Sequence, residues 1–273
     1  MKVHSYSSLS TFKHCPLKYK YRYIDKIKPE IEFIEAFMGK CLHKMLEIFY
    51  DRSIGGDGIF ELDDYLCYLD YIWRCGSRLI IRYAREGQST KQYQEIGERC
   101  ITNYFNQYAP FDKWRTLGVE MKVELPYLNG DNSIVAYIDR LSYSPHTHGK
   151  VLEIHDYKTS KHLPSKKELK KDWQLSLYQV GVEWMFPDAE RIELVWHYLY
   201  HDKEFRLTRN REELNQVMDR VLYLIDRIEI GQFKGFEPRA GFLCKWCPYQ
   251  HLCPKRRDLI LPEDLPPSMC KKG

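Results

Sequence analysis

The sequence lacks the features that would place it in a membrane or mark it for export. No apolar run in its 273 residues approaches the length that spans a bilayer. Residues 1–16 contain no continuous apolar core of the kind that a signal peptide carries. We therefore expect a cytoplasmic protein with no membrane partner.

The chain also has little excess charge of either sign. It contains 42 Lys and Arg against 38 Asp and Glu, a formal net charge of +4. Such a balance permits a nucleic-acid partner without requiring one. With 44% hydrophobic residues the chain can bury a full core, and it contains no internal repeat or long linker. We predict a single domain over residues 1–273.

Residues 134–161 contain two runs rich in Val, Ile, Leu and Tyr on either side of a polar turn, a pattern typical of two adjacent antiparallel strands. The first run ends near Asp139, and the second ends in Asp156, Tyr157 and Lys158. Because side chains alternate between the faces of a strand, Asp156 and Lys158 share one face. Acids and a lysine at the ends of apolar strands are costly to bury unless metal, water or substrate pairs them.

These residues support two interpretations. The simpler one is an ion pair at the end of a strand. The other is a metal site, because two carboxylates that face one point bind a hard cation such as Mg²⁺ or Mn²⁺. Such a cation activates water and polarises a phosphoryl oxygen, and a neighbouring lysine can stabilise the charge that develops. The second interpretation predicts hydrolysis of phosphodiester bonds.

Helices and strands predicted around this stretch add further polar residues. An amphipathic helix over 35–51 places Gly39 and His43 one turn apart, although a lone histidine on a helix usually has a structural role. A helix over 173–185 places Gln174 and Tyr178 on one face. Further predicted segments are a helical insertion over 52–112, a strand over 117–125 that contains Glu120, a hairpin over 192–208, and a helix over 211–230 that ends at Gly231.

Cysteines are concentrated near the C-terminus. Cys244, Cys247 and Cys253 lie within ten residues, a dense ligand spacing, and nine Cys without an export signal favour thiols or metal ligands over disulfides. Three thiolates need a fourth ligand. Cys15 would complete a Cys₄ site, and His251 would complete a local zinc site.

Taken in order, Gly39-x-x-x-His43, Asp139, Asp156-x-Lys158 and Gln174-x-x-x-Tyr178 resemble the motif series of the PD-(D/E)XK nuclease superfamily, in its RecB-like exonuclease branch. The resemblance implies a mixed α/β fold like that of restriction endonucleases, with a central mixed sheet flanked by helices. It also makes Glu120 a candidate accessory acid, with a solvent-facing strand glutamate as the alternative. It implies catalytic roles for Asp139, Asp156, Lys158, Gln174 and Tyr178, and metal-binding roles for His43, Asp139, Asp156 and Tyr157.

The cysteine pattern resembles the iron–sulfur staple of AddB-type and CRISPR-associated nucleases. This resemblance implies that Cys15, Cys244, Cys247 and Cys253 hold a 4Fe-4S cluster, with zinc as the alternative, and that the segment 236–256 closes onto the N-terminus.

The function implied by both resemblances is metal-dependent DNA hydrolysis with Mg²⁺ or Mn²⁺. We expect an exonuclease that prefers single strands, acting in DNA repair and recombination or in CRISPR-type processing. No P-loop is present, so unwinding would require a helicase partner; a CRISPR integrase is another candidate partner. The alternatives are a cluster-bearing DNA-binding subunit of a helicase–nuclease or integrase complex, and a structure-specific endonuclease.

Overall fold

A computed structural model describes residues 2–55, 61–76, 79–84, 87–113, 115–126, 132–145, 147 and 150–255. Residues 56–60, 77–78 and 85–86 of the predicted insertion lie outside the described part. The strands in chain order are β1 (Lys2–Ser5), β2 (Ile31–Phe33), β3 (Ile80–Arg82), β4 (Arg115–Pro126), β5 (Asn132–Tyr143), β6 (Val151–Lys158), β7 (Arg191–Tyr198) and β8 (Lys203–Leu207). The helices are α1 (Tyr6–His14), α2 (Pro16–Tyr19), α3 (Ile34–Gly55), α4 (Leu62–Cys75), α5 (Thr90–Tyr108), α6 (Lys166–Lys171), α7 (Gln174–Met185) and α8 (Arg211–Lys234).

The chain forms two compact units. The first comprises the described residues within 1–6, 38–76 and 90–218, and the second comprises the described residues within 7–37, 77–89 and 219–273. The large sheet lies in the first unit, whereas the short parallel pair of β2 with β3 and the four cysteines of the predicted staple lie in the second. Among the described helices, none is both long and apolar enough to cross a membrane.

The six-stranded sheet of the first unit has the order β1-β5-β6-β7-β8, and β4 also pairs with β5. The β1–β5 and β6–β7 pairs are parallel, and the other pairs are antiparallel. Because β4 pairs along nearly all of β5, the opposite edge of β5 is divided between β1 at its beginning and β6 at its end. The predicted mixed sheet flanked by helices is confirmed.

Hydrophobic patterning accounts for the central elements. Seven of the eight residues of β6 are buried, as expected for a strand that is covered on both faces. On α3 the residues at helical spacing are completely buried, as the amphipathic pattern predicted. These are Leu42, Met45, Leu46 and Phe49. The same packing holds the polar face of α3 against the ends of β5 and β6.

The helix α7 packs very closely on β4 at Gly181. A Cβ atom added there would lie 2.3 Å from Val123 Cγ1, closer than any real contact. We therefore expect Gly181→Ala to force α7 away from the sheet and to destabilise the protein by about 1–3 kcal/mol. Urea unfolding measures this change.

Gly97→Ala is the matched control for Gly181→Ala. Gly97 is also buried within a helix, α5, but its added Cβ would meet Leu42 at 3.5 Å, an ordinary contact. Alanine in a helix interior is about 0.5–1 kcal/mol better than glycine, so this variant should be unchanged or more stable. Equal unfolding midpoints for the two variants would contradict the close packing of α7 on β4.

The predicted end of the last helix is wrong. The helix α8 continues through Gly231 to Lys234, and Gly235, with a φ of +93°, follows its last residue. A left-handed residue at this position is the usual end of a helix. Gly231 has a different role, since an added Cβ would lie 2.8 Å from the ring of Phe236. Gly231 therefore makes room for the chain that folds back after the helix.

Candidate active site

Asp139 lies where β5 and β6 separate. The pairing of these strands ends at Arg140 with His155, and Asp139 is the residue next to Arg140 on β5. Beyond that pair, the backbone N–H of Tyr157 donates to Asp139 Oδ2 at 2.8 Å. The carboxylate thus takes the place of a backbone acceptor and holds the end of β6.

His43 reaches the same place from α3. Gly39, one turn earlier, allows this approach, because a Cβ there would lie 3.3 Å from Thr159 Oγ1, just beyond β6. The Nε2 atom of His43 lies 2.8 Å from the carbonyl oxygen of Tyr157, and a carbonyl can only accept, so this nitrogen carries the proton. The Nδ1 atom lies 3.5 Å from Asp139 Oδ2.

The electrostatic potential at His43 is strongly negative. Burial lowers the pKa of His43, but the hydrogen bond and charge of Asp139, followed by the charge of Asp156, outweigh burial and raise the pKa to about 9. A site that holds a proton on an imidazole this firmly also favours a bound cation. Binding a metal through this ring would release the proton.

Glu120 lies opposite Asp139. Its neighbours Val119 and Met121 pair with Arg140 and Ile138, which places the two acids across from each other. One ligand atom from each of His43, Glu120 and Asp139 lies within 4.8 Å of the other two, the sole such group of three among the described residues. Partial burial raises the pKa of Glu120, and the charge of Asp139 raises it further.

The backbone of Glu120 has an unusual conformation, with a φ of +44° in the middle of a strand. Non-glycine residues in this region cost roughly 1–3 kcal/mol and are concentrated at functional sites. Sequence reasoning gave Glu120 only as a candidate accessory acid. Its position became clear from the register of β4 on β5, which residue spacing alone does not reveal.

Lys158, Asp156 and the helix α7 form a connected cluster. Lys158 Nζ lies 2.6 Å from Asp156 Oδ2 and donates to Gln174 Oε1 at 2.8 Å. The amide nitrogen of Gln174 donates to Asp156 Oδ1 at 2.9 Å and to the hydroxyl of Tyr178 at 3.1 Å. Gln174 therefore holds both Lys158 and Asp156. Its spacing of four residues from Tyr178 on α7 brings these two side chains into hydrogen-bond contact.

Burial and charge act in opposite directions on this pair. Burial raises the pKa of Asp156 to about 6, against the lowering effect of Lys158 and with the help of Asp139. For Lys158, burial lowers the pKa, but Asp156 outweighs burial and the pKa is raised above its usual value. The side chain of Lys158 is 26% exposed and that of Asp156 only 2%. The lysine is thus charged, and part of its side chain is accessible to solvent.

The predicted residues fall into two adjoining groups within the first unit. His43, Asp139 and the backbone of Tyr157 lie together with Glu120, whereas Asp156, Lys158, Gln174 and Tyr178 form the cluster beside them. Asp156 is not one of the three closely gathered ligands, since both of its oxygens contact Lys158 or Gln174.

The four cysteines of the predicted staple lie around one cavity of the second unit. Cys15, Cys244, Cys247 and Cys253 line a cavity of about 360 Å³, and all four are partly exposed. The backbone N–H of Gly241 donates to Cys244 Sγ at 3.3 Å. Burial raises the pKa of the Cys247 thiol, with smaller contributions from neighbouring groups that include Cys15 and Cys244.

Comparison with known proteins identifies the family. The profile of the PD-(D/E)XK nuclease superfamily matches residues 4–254, nearly the whole chain. The chain therefore belongs to the PD-(D/E)XK nuclease superfamily, and it is a nuclease. The predicted superfamily is confirmed.

One solved structure shows a similar fold. A crystal structure named "Putative exonuclease", from Eubacterium rectale, aligns with 95% of this chain and 89% of its own at 14% identity and a TM-score of 0.51. The crystal structure of SSO0001 aligns with 92% of this chain and 93% of its own at 15% identity and a TM-score of 0.37. None of the curated proteins compared with the chain matches it.

Proposed function

We propose that this nuclease depends on a divalent metal, hydrolyses DNA, and acts as an exonuclease that prefers single strands, as members of the RecB-like branch do. The observation that carries the proposal is the group of His43, Glu120 and Asp139, whose ligand atoms lie within 4.8 Å of one another beside Lys158. Two carboxylates and an imidazole suit a hard divalent cation. Nuclease activity itself follows from the family.

The metal would be held by His43, Glu120 and Asp139, with Asp156 and the carbonyl of Tyr157 adjoining them. When bound, Mg²⁺ or Mn²⁺ supplies an activated water and neutralises charge on the phosphate. The protein contributes the fixed positions of these ligands. Asp139 is anchored by the N–H of Tyr157, and His43 is anchored by the carbonyl of the same residue.

Lys158 has the position of an electrostatic catalyst. Its ammonium group is held by Asp156 and Gln174, yet about a quarter of the side chain remains exposed to solvent. A cation fixed in this way stabilises negative charge that develops on the scissile phosphate without having to reorganise. Gln174 and Tyr178 act through their hydrogen bonds by holding Lys158 and Asp156 in place.

Exonucleolytic action is supported by the motif series and by the name of the Eubacterium rectale structure, whereas the preference for single strands is supported by the motif series alone. Circular single-stranded DNA tests it. We expect the enzyme with Mn²⁺ to degrade a linear single-stranded oligonucleotide and to leave a circle of the same sequence intact. Cleavage of the circle would instead identify an endonuclease, and binding of both forms without cleavage would identify a DNA-binding subunit.

The cysteine cavity supports an iron–sulfur cluster held by Cys15, Cys244, Cys247 and Cys253. In a tetrahedral zinc site with Zn–S bonds of about 2.3 Å, the sulfur atoms lie only about 3.8 Å apart. These described cysteines include no three whose sulfur atoms all lie within 4.8 Å. A cavity of about 360 Å³ lined by four thiols has room for a polynuclear cluster.

The cluster would fasten the C-terminal segment 236–256 to the N-terminal residues and complete one nuclease domain. Two hydrogen bonds of the second unit support this closure. The hydroxyl of Tyr21 donates to the carbonyl of Leu252, and the hydroxyl of Tyr249 donates to that of Ile27, both at 2.9 Å. We further propose a helicase or an integrase as the partner that supplies single strands, since the chain has no P-loop.

Loss of one cysteine tests the cluster. Anaerobically purified protein should be brown, and Cys15→Ala should lose the colour and unfold at a lower temperature. Cys15 and Cys244 are 229 positions apart, and disulfide scaling gives about 5 kcal/mol as an upper guide for closing so long a loop. Cys67→Ala, at an exposed cysteine of the first unit, is the control and should stay brown. A colourless protein with one zinc per chain, unaffected by Cys15→Ala, would contradict the cluster.

A further inference from the structure

A layer of buried polar side chains lies on the side of the central strands away from Asp139 and Asp156. Arg140 and His155 have no exposed surface, and His197 on β7 is 3% exposed. Arg140 and His155 are each adjacent in sequence to one of the acids, and neighbouring side chains of a strand point to opposite faces. Burying a guanidinium and two imidazoles costs free energy unless each finds partners, so the layer must be internally bonded.

The hydrogen bonds of this layer fix the tautomers of its histidines. Arg140 Nη2 lies 2.8 Å from His155 Nδ1, and a guanidinium can only donate, so His155 Nδ1 is an acceptor. The proton of His155 is therefore on Nε2, which donates to Ser142 Oγ at 3.0 Å. His197 Nε2 lies 2.9 Å from the same Nδ1 atom and must be a donor.

A second route leads from Arg140 through tyrosines. The guanidinium carbon lies 3.9 Å from the ring centroid of Tyr50, a close cation–π contact. The hydroxyls of Tyr50 and Tyr104 lie 2.7 Å apart, and the hydroxyl of Tyr104 lies 3.3 Å from that of Tyr157. The ring of His197 also packs against Tyr157, with centroids 5.2 Å apart. Both routes therefore end at the side chain of Tyr157.

Tyr157 connects this layer with the metal ligands. Its side chain belongs to the buried layer, whereas its backbone N–H holds Asp139 and its carbonyl holds His43. A shift of the ring would move both anchors together. Removing a residue that hydrogen-bonds to a metal ligand typically lowers the metal affinity by about 10–100-fold.

We propose that Arg140 is a positioning residue. Through Tyr50 and Tyr104 on one route, and His155 and His197 on the other, it fixes Tyr157 and thereby sets the separation of Asp139 and His43. The inference rests on the proposed metal-dependent function for its consequence in binding, but the positioning itself is a property of the metal-free protein. Arg140 does not touch the reacting atoms.

Two variants and one control test the proposal. Tyr104→Phe removes one hydroxyl without changing the packing volume, and Arg140→Met removes the central cation. Tyr65→Phe removes a buried hydroxyl from α4, where the ring packs against Phe49. Two quantities are measured for each folded variant: the exchange rate of the Tyr157 amide proton in metal-free protein, by NMR, and the Kd for Mn²⁺, by calorimetry.

We expect faster exchange at Tyr157 by at least about tenfold in Tyr104→Phe and Arg140→Met, and a Kd for Mn²⁺ raised by about tenfold. Tyr65→Phe should change neither quantity. Wild-type exchange and wild-type Kd in the folded variants would overturn the proposal, and Tyr104→Phe decides alone if Arg140→Met does not fold. A wild-type protein that bound no Mn²⁺ would refute the proposed metal site, while the exchange rates would still decide the positioning role.

Discussion

Lys158→Ala should bind metal and DNA but scarcely cleave. The ammonium group acts on charge that develops in the transition state, and loss of one such donor typically costs about 3–4 kcal/mol, on the order of a hundredfold or more in rate. Lys158 is held by Asp156 and Gln174, and the three metal ligands His43, Glu120 and Asp139 remain in the variant, so Mn²⁺ affinity should persist. DNA affinity should fall only modestly, because one phosphate contact among many is lost.

A plain ion pair at the end of a strand predicts the reverse outcome for this variant. In that case the buried carboxylate of Asp156 loses its main cation, the fold is weakened, and the molecules that remain folded keep their activity. Metal binding, DNA binding and cleavage measured on one preparation distinguish a catalytic role of Lys158 from a purely structural ion pair. The matched control is Lys171→Ala, an exposed lysine at the end of α6, which should resemble the wild type in all three. Full cleavage by well-folded Lys158→Ala would rule out the proposed catalysis.

Asp139→Asn should abolish cleavage by removing an anionic metal ligand. Without the metal, the transition state loses several kcal/mol of charge stabilisation, which slows the reaction roughly a thousandfold or more. The fold should survive because the asparagine carbonyl can still accept the N–H of Tyr157. Rates with saturating Mn²⁺ and circular dichroism on the same sample test both parts. Activity equal to that of the wild type would refute the assignment of Asp139.

The same variant gives a second, independent signal at His43. Asp139 provides the main contribution that raises this pKa to about 9, so in metal-free Asp139→Asn the pKa should fall toward the usual 6.5, as followed by NMR. In the wild type, a folded-state pKa above the unfolded value stabilises the protein fully below about pH 6.5, and this contribution is lost as the pH rises toward 9. That part of the pH dependence should be smaller in the variant. An unchanged pKa would mean that Asp139 and His43 are not neighbours.

Local pattern predicted the elements of the site well, because those residues are positioned by regular secondary structure. Alternation along β6 placed Asp156 and Lys158 on one face, and the helical spacing of α7 placed Gln174 and Tyr178 together. The meeting of α3 with the strands was implied only by resemblance to the family. No periodicity within α3 specifies which strand end His43 will approach.

The features that sequence did not predict depend on long-range pairing. The strand β1 pairs with β5 across about 130 positions, and the left-handed backbone of Glu120 depends on the register between β4 and β5. Gly231 has the sequence signature of a helix end, yet α8 continues past it, and the glycine instead leaves space for the ring of Phe236. In each case the residue or strand that determines the structure lies outside the segment whose pattern was interpreted.

The central claim is that Asp139 and Lys158 act together with a divalent metal to hydrolyse DNA. Release of label from an end-labelled single-stranded oligonucleotide tests it most directly, using wild type, Asp139→Asn and Lys158→Ala, each with Mn²⁺ and with EDTA. The account predicts release by the wild type with Mn²⁺, none with EDTA, and at least about a hundredfold slower release by either variant. Undiminished release in EDTA, or variants as fast as the wild type, would contradict it.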